Sequence, residues 1–296
     1  RFNALVTQKD LRETYLPAFK ECIKEAKVAG VMGAYNRVNG EPCCGSQTLL
    51  VKILRQEWGF DGYVVSDWGA VNRRVPDLEA GLDLEMPSSG GENDKLIVEA
   101  VSNGTLSESV LDTAVERILN IIYRFVENRD ESAVFDRDAD HENARKIAEE
   151  TVVLLKNQEI LPIPKTKKVA FIGKYAKQPR YQGGGSSHIN SHKVTSAVEA
   201  AYGLYNVTYA EGFRDDVDQT EDALLQEAIE IAEQADVAVV FAGLPDAFES
   251  EGFDRNHMRM PECQNELIQK ISEVQPNIVV VLHNGSPVEM PWENKV

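Results

Sequence analysis

Apolar positions along the first 126 residues alternate between helical and strand spacing. In "TQKDLRETYLPAFKECIKEAK", Leu11, Tyr15, Phe19, Cys22, Ile23 and Ala26 fall on one helical face, and Thr7 with Asp10 three residues later reads as its amino-terminal cap. "AGVMGAY" is a short buried strand, followed by the turn-rich "NRVNGEPCCG". Ser46 caps a helix whose Leu50, Ile53, Leu54 and Trp58 form a stripe ending before Gly59. "GYVVSDWGAV" opens as a buried strand and closes on an acid and a large aromatic, Asp67 and Trp68. "AGLDLEMP" reads as another short strand. "SESVLDTAVERILNIIYRF" is a long helix with Val110, Leu111, Ala114, Ile118 and Ile122 in register.

Fully apolar strands alternating with helices predict a parallel sheet covered by helices. About three strands are countable in this half. That fits either a small open sheet or the back end of a (β/α)8 barrel, which needs eight. Residues 127–150 are a charged connection that turns helical. From 151 to 296 the alternation restarts through "TVVLLKN", "KKVAFIG", "HKVTSAVEAAYG", "NVTYAEG", "TEDALLQEAIEIAEQA", "DVAVVFAG", "PECQNELIQKISEV" and "NIVVVLHNG". The expectation is a second α/β domain with a mostly parallel, doubly wound sheet.

Charge narrows the partners. Asp and Glu number 48 against 31 Lys and Arg, a net charge of -17, which repels phosphate backbones and argues against nucleic acid. No apolar run approaches the roughly 20 residues that cross a bilayer, so no membrane is expected. A neutral or apolar small molecule is the easier ligand. Cys22, Cys43, Cys44 and Cys263 make a poor disulfide framework and contain no CxxC zinc pair. They read as idle thiols of a reducing compartment, favouring a cytoplasmic over a secreted location. The chain opens at Arg1 without an initiator Met or a signal peptide, and reads as an internal segment.

In α/β sheets ligands gather outside the carboxyl ends of strands. Asp67 stands at such an end, with Trp68 beside it as a ring able to stack on a sugar face. A strand-end Asp that merely caps a turn is the plain alternative. After "DVAVVFAG", the loop "LPDAFESEGFDR" crowds Asp246, Glu249, Glu251 and Asp254 together, with Gly252 permitting a tight backbone and Arg255 available to pair with a neighbouring acid. Two acidic strand-end loops, one per domain, suggest an interdomain cleft and the carboxylate pair of glycoside hydrolysis. "YQGGGSSH" lacks the spacing of a phosphate cradle and reads as a flexible or ligand-approaching turn. His188 and His192 are four apart, with nothing to place them on a helix. No metal or organic cofactor is expected.

The ordered motifs "GAYNRVNGEP", "LRQEWGFDGYVVSDWGA", "AGLDLEMP", "VVLLKN" and "SEGFDR" resemble family 3 glycoside hydrolases, most closely their β-glucosidase branch. The resemblance implies an α/β fold: the C-terminal part of a (β/α)8-type barrel in 1–126, then an α/β sandwich domain in 151–296, with the site between them. It implies retaining double displacement on β-linked glucosides, with Asp67 as nucleophile and Glu251, rather than Glu249, as acid/base. Trp68, Tyr35 and Met32 match walls of the glucose subsite, and Ser186 matches a residue reaching the sugar from the second domain.

Donors such as Tyr35 are then expected to keep Asp67 ionised. The Glu251 pocket is expected to raise its pKa. A retaining pair sits about 5–5.5 Å apart. The barrel motifs that bind glucose hydroxyls in the family lie upstream of these residues, so the missing barrel half is needed for a complete site. A β-xylosidase, a broad aryl β-glycosidase, or a fragment inactive by itself are the alternatives. Oligomeric state stays open.

Overall fold

The computed structural model describes residues 2–296; Arg1, with which the sequence opens, lies outside the described residues. Contacts divide the chain into residues 1–133 and 134–296. Each unit is an α/β structure with parallel strand pairing.

The first unit opens with β1 (Asn3–Ala4), then α1 (Gln8–Asp10), which continues through a π-helical turn, Leu11–Tyr15, into α2 (Pro17–Lys24). Thr7 caps α1 as the sequence predicts, its hydroxyl accepting from the Asp10 amide. Only two of the six residues expected on the apolar stripe are buried. Leu11 and Ile23 are buried, whereas Tyr15, Phe19 and Cys22 are exposed, because the described neighbours cover only part of that face. β2 (Gly30–Gly33) follows. "NRVNGEPCCG" then holds a hairpin of β3 (Arg37–Val38) and β4 (Glu41–Pro42), with β1 parallel to β3. Asn39 and Gly40 turn it with positive φ at both positions, the combination a tight hairpin needs.

Ser46 caps the next helix, Gln47–Glu57, its hydroxyl accepting from the Leu49 amide. That helix is wound with π-type bonds, and Leu50, Ile53, Leu54 and Trp58 are buried as the stripe predicts. β5 (Tyr63–Ser66) pairs in parallel with β2, Met32 opposite Val65 and Gly33 opposite Ser66. "AGLDLEMP" is not a strand. It runs beside β5 with one parallel bridge, Val65 to Leu84, after α3 (Arg74–Glu79). The unit closes with α4 (Glu92–Ser102) and α5 (Glu108–Asn128).

A buried carboxylate locks β5 to its surroundings. The Asp83 side chain is fully buried and accepts from Arg55 Nη2 (2.7 Å), Arg117 Nη1 (2.9 Å) and the Val64 amide (2.8 Å). One acid therefore ties together the π-wound helix, α5, the segment beside β5 and the strand itself. Burial costs a carboxylate dearly unless donors replace water, and here three do.

The second unit begins with α6 (Arg137–Thr151), capped by the Asp136 carboxylate. "TVVLLKN" does not restart the sheet: residues 152–157 are irregular, and Val152, Val153, Leu154 and Leu155 are exposed. A β-branched run becomes a strand only where a partner edge lies in register. The sheet comprises β6 (Lys168–Ile172), β7 (Asn206–Ala210), β8 (Val237–Gly243) and β9 (Ile278–His283), all parallel, in the order β7-β6-β8-β9. Every residue of β8 is buried, which is why its sequence runs apolar without alternation.

α7 (Ala197–Ala201), α8 (Asp222–Glu233) and α9 (Glu262–Val274) cover the sheet. α7 is shorter than its pattern suggests. A capping box between Ser196 and Glu199 starts it, and Gly203 at positive φ follows its end. Ile172, Val240, Leu267, Ile268, Ile271 and Ile278 pack in one core cluster.

Removing the charge from Asp83 leaves two arginines beside a buried amide. Asp83→Asn is expected to destabilise the first unit by about 3–5 kcal/mol, read by denaturant unfolding. An unchanged midpoint would show that the three-donor lock contributes nothing.

Candidate active site

Asp67 directly follows β5, and its loop is pinned by main-chain donors. The Asp67 amide donates to the Gly33 carbonyl (2.9 Å), Gly69 to Met86 (2.8 Å) and Ala70 to Asp67 (2.9 Å). Asn72 and Arg73 amides both donate to Asp77 Oδ2, at 2.8 and 3.0 Å. Asp77 is itself buried. Behind the strand, the Ser66 hydroxyl donates to the Met86 carbonyl (3.0 Å) and accepts from the Met86 amide (2.8 Å). The carboxylate of Asp67 accepts from the Trp68 amide (2.7 Å) and stands half-buried at the surface.

The residues predicted for the first unit lie in one patch. Tyr35 Oη donates to the Trp68 carbonyl (2.6 Å). The hydroxyl expected to serve the Asp67 carboxylate thus holds the Trp68–Gly69 peptide of the same loop. Met32 precedes Gly33, whose carbonyl receives Asp67. Trp68, Met32 and Tyr35 are 65%, 61% and 42% exposed, far above ordinary core values. A hollow of about 160 Å³ beside them is lined by Tyr35, Arg37, Ala70 and Asn72, with Phe2, Asn3 and Pro42. A larger groove of about 580 Å³ runs from Gly69 past Arg74 and Glu85 to α4, and its lining does not include Asp67.

Below the patch lies a thiol the sequence treats as idle. Cys44 is fully buried, its Sγ donating to the Ala34 carbonyl at 3.7 Å. Burial, reinforced by the Asp77 charge, pushes this thiol up to about 11, so it stays neutral under the Asp67 loop. All four cysteines are free; Cys43, Cys44 and Cys263 are buried and Cys22 is exposed.

In the second unit three loops meet at the carboxyl edge of the sheet. Glu249, after β8, joins them. Its Oε1 accepts from Ser286 Oγ (2.5 Å), and its Oε2 accepts from the Gly285 amide (2.9 Å) and Arg180 Nη1 (2.9 Å). Arg180 Nη2 also donates to the Glu249 carbonyl (2.7 Å), and Arg180 Nε reaches Asp246 at 3.3 Å. Burial pushes Glu249 upward, but Ser286, Gly285 and Arg180 outweigh it and hold the carboxyl below its ordinary value.

Arg255 was expected to pair with one of the neighbouring acids, but Arg180 is the residue that holds Asp246 and Glu249. Arg255 instead donates to Ser286 Oγ (2.7 Å) and the Pro287 carbonyl (3.2 Å). Sequence reasoning missed Arg180, which carries no motif, and the anchoring of Asp77 and Asp83. For Asp83, its place inside "AGLDLEMP" was the one available signal.

Glu251 differs from Glu249 in its surroundings. It is exposed, on a tight turn bridged by Ser250 and Phe253, with Gly252 at a φ of 75° as expected. Its carboxylate accepts from the Ser186 amide. The expectation of a raised pKa is overturned: the Ser186 amide and hydroxyl hold Glu251 below the ordinary glutamate value, since hydrogen bonds to the charged form favour it. Ser186 thus meets Glu251 within its own unit. His188 follows the same loop and is exposed. Among the described residues no three His, Cys, Asp or Glu side chains converge as metal ligands. No described helix is long and apolar enough to cross a membrane.

Comparison with known proteins bears on both units. Residues 3–121 match the glycosyl hydrolase family 3 N terminal domain, and residues 152–296 match the family's C-terminal domain. A thermostable beta-glucosidase B of Acetivibrio thermocellus is 52% identical over 99% of this chain and 40% of its own length. An exo-alpha-(1->6)-L-arabinopyranosidase of Bifidobacterium longum is 41% identical, with the same 99% and 40% coverage. A crystal structure of the Bifidobacterium adolescentis GH3 beta-glucosidase superposes with a TM-score of 0.88 at 43% identity, covering 100% of this chain and 44% of that one. The chain thus spans about two fifths of the length of the curated relatives it matches.

Because Glu249 is held below its unfolded value, its stabilisation is complete above the ordinary glutamate range of about 4.3 and is lost as pH falls through the lowered folded value. Urea unfolding followed from about pH 3 to 7 is expected to show that acid-side loss. In Glu249→Gln the loss is expected to shrink, alongside lower stability at neutral pH. Identical pH profiles would refute the anchoring role.

Proposed function

We propose, from the premise that this chain belongs to glycosyl hydrolase family 3, that it supplies both catalytic carboxylates of a retaining β-glucosidase. The observation carrying the reading is the first-unit patch: Asp67, on a main-chain-pinned loop at a strand's carboxyl end, beside the exposed Trp68 and Tyr35. The 52% identity to a β-glucosidase supports the substrate class. On this reading the first unit is the C-terminal part of a (β/α)8-type barrel and the second an α/β sandwich domain.

Asp67 attacks the anomeric carbon of a terminal β-D-glucosyl residue. The carbon–oxygen bond to the leaving group breaks as the carboxyl of Glu251 gives that oxygen its proton. A glycosyl ester on Asp67 results. Glu251, now a carboxylate, takes a proton from water as the water attacks the same carbon, and Asp67 leaves as carboxylate. Trp68 offers its ring face to the pyranose. Glu249 is an unsuitable acid because Ser286, Gly285 and Arg180 occupy it. Activity on α-linked L-arabinopyranosides is a second reading, favoured by the 41% identity to an arabinopyranosidase.

The test uses aryl β-glucosides, xylosides and α-L-arabinopyranosides, with this chain and with a longer protein carrying it. Asp67→Ala is expected to lose at least roughly a thousandfold in kcat on every substrate cleaved. Glu251→Ala should lose roughly 100- to 10,000-fold where the leaving group needs a proton. It should lose far less with an acidic phenol, and added azide should restore turnover as a glycosyl azide. Full activity in Asp67→Ala would sink the nucleophile assignment.

A further inference from the structure

The glycine run "YQGGGSSH" is not absorbed by the fold or by a phosphate site, and its geometry gives it another occupant. Gln182 closes the loop's base: its Oε1 accepts from the Ile189 amide (3.0 Å), and its Nε2 donates to the Ile189 carbonyl (3.2 Å). The tip carries a short 3-10 turn, Gly185–Ser187, and the Ser186 amide there donates to Glu251 Oε2. The preceding glycines are shaped around the acidic loop. A Cβ on Gly184 would stand 2.5 Å from Ser250 Oγ. A Cβ on Gly185 would stand 2.2 Å from Glu251 Oε2 and 2.5 Å from its Cβ, at a φ of 75°. Any side chain at Gly185 would expel Glu251.

We propose that the Gly183–Ser187 loop is a cradle that seats the Glu251 carboxylate, with Ser186 as the positioning residue whose main-chain N–H holds it. This inference rests on the reading of Glu251 as acid/base. The other charged groups nearby are engaged or exposed. Arg180 holds Asp246 and Glu249, Arg255 holds Ser286 and Pro287, and Asp254 and His188 are exposed. A main-chain donor binds a carboxylate more strongly than a carboxylic acid. The cradle therefore suits the half-reaction in which Glu251 works as a base. Before the first half-reaction, Glu251 must take up a proton and leave Ser186 for the leaving oxygen.

Three variants separate the parts. Ser186→Pro deletes the N–H, Ser186→Ala keeps it while losing the hydroxyl, and Gly185→Ala fills the seat. In this chain the Glu251 carboxyl carbon can be followed by 13C NMR against pH, assigned by its absence in Glu251→Gln. The wild-type protein is expected to titrate below the ordinary glutamate value of about 4.3, and Ser186→Pro and Gly185→Ala to return it upward. Ser186→Ala should stay closer to wild type. A wild-type titration at the ordinary value, or one that neither Ser186→Pro nor Gly185→Ala moves, overturns the cradle.

In the active longer protein, the basic limb of kcat/KM should move upward with the NMR titration, because that limb reports loss of the acid's proton. A moved titration with an unmoved limb supports the cradle and overturns the acid/base assignment. If Ser186→Pro fails to fold, Gly185→Ala alone decides by the same readout.

Discussion

A carboxylate drawn out of water must be met by donors, and that demand sorts the acids of this chain into two kinds. Asp77, Asp83 and Glu249 are met in full measure by amides, hydroxyls or guanidinium groups. They hold segments together and have little left to offer a ligand. Asp67 and Glu251 each accept from a main-chain amide and stand where solvent reaches them. The division is physical before it is functional. An acid saturated by the protein is expensive to reprotonate or displace, whereas a lightly held one can exchange its partner for a substrate.

Both units arrive at the same arrangement from different folds. Parallel strands leave their carboxyl ends free for loops, and a buried acid fastens those loops to the strands beneath. In the first unit Asp83 fastens β5 while Asp77 fastens the segment after it. In the second, Glu249 gathers the loops following β6, β8 and β9. The rigid part of each unit is thus a carboxylate-centred knot just behind the more exposed acid, Asp67 in the first and Glu251 in the second.

The α/β character, the parallel sheets and most helix caps were legible because they rest on local signals: period, capping residues and turn pairs. Thr7, Ser46 and the Asn39–Gly40 hairpin are of this kind. "TVVLLKN" was misread because an apolar run specifies burial or pairing only through a partner that may lie far away in sequence, and "AGLDLEMP" pairs beside β5 through a single bridge, too short for a strand. The patch of Met32, Tyr35, Asp67 and Trp68 was legible through ordered motifs resembling a known family. The charge state of Glu251 was not, since it depends on Ser186, 65 residues away. The same distance hid Arg180, whose partner lies 69 residues on.

The loop after β5 is fastened almost wholly through its backbone: amides of Asp67, Gly69, Ala70, Asn72 and Arg73 all donate to fixed acceptors. Its shape therefore asks little of the side chains it carries. Such a loop is an evolvable surface. Substitutions at the exposed Asn72 and Arg73 can retune what is recognised around Asp67, while its carboxylate keeps its place. Related chains with different sugar preferences could diverge there without rebuilding the scaffold.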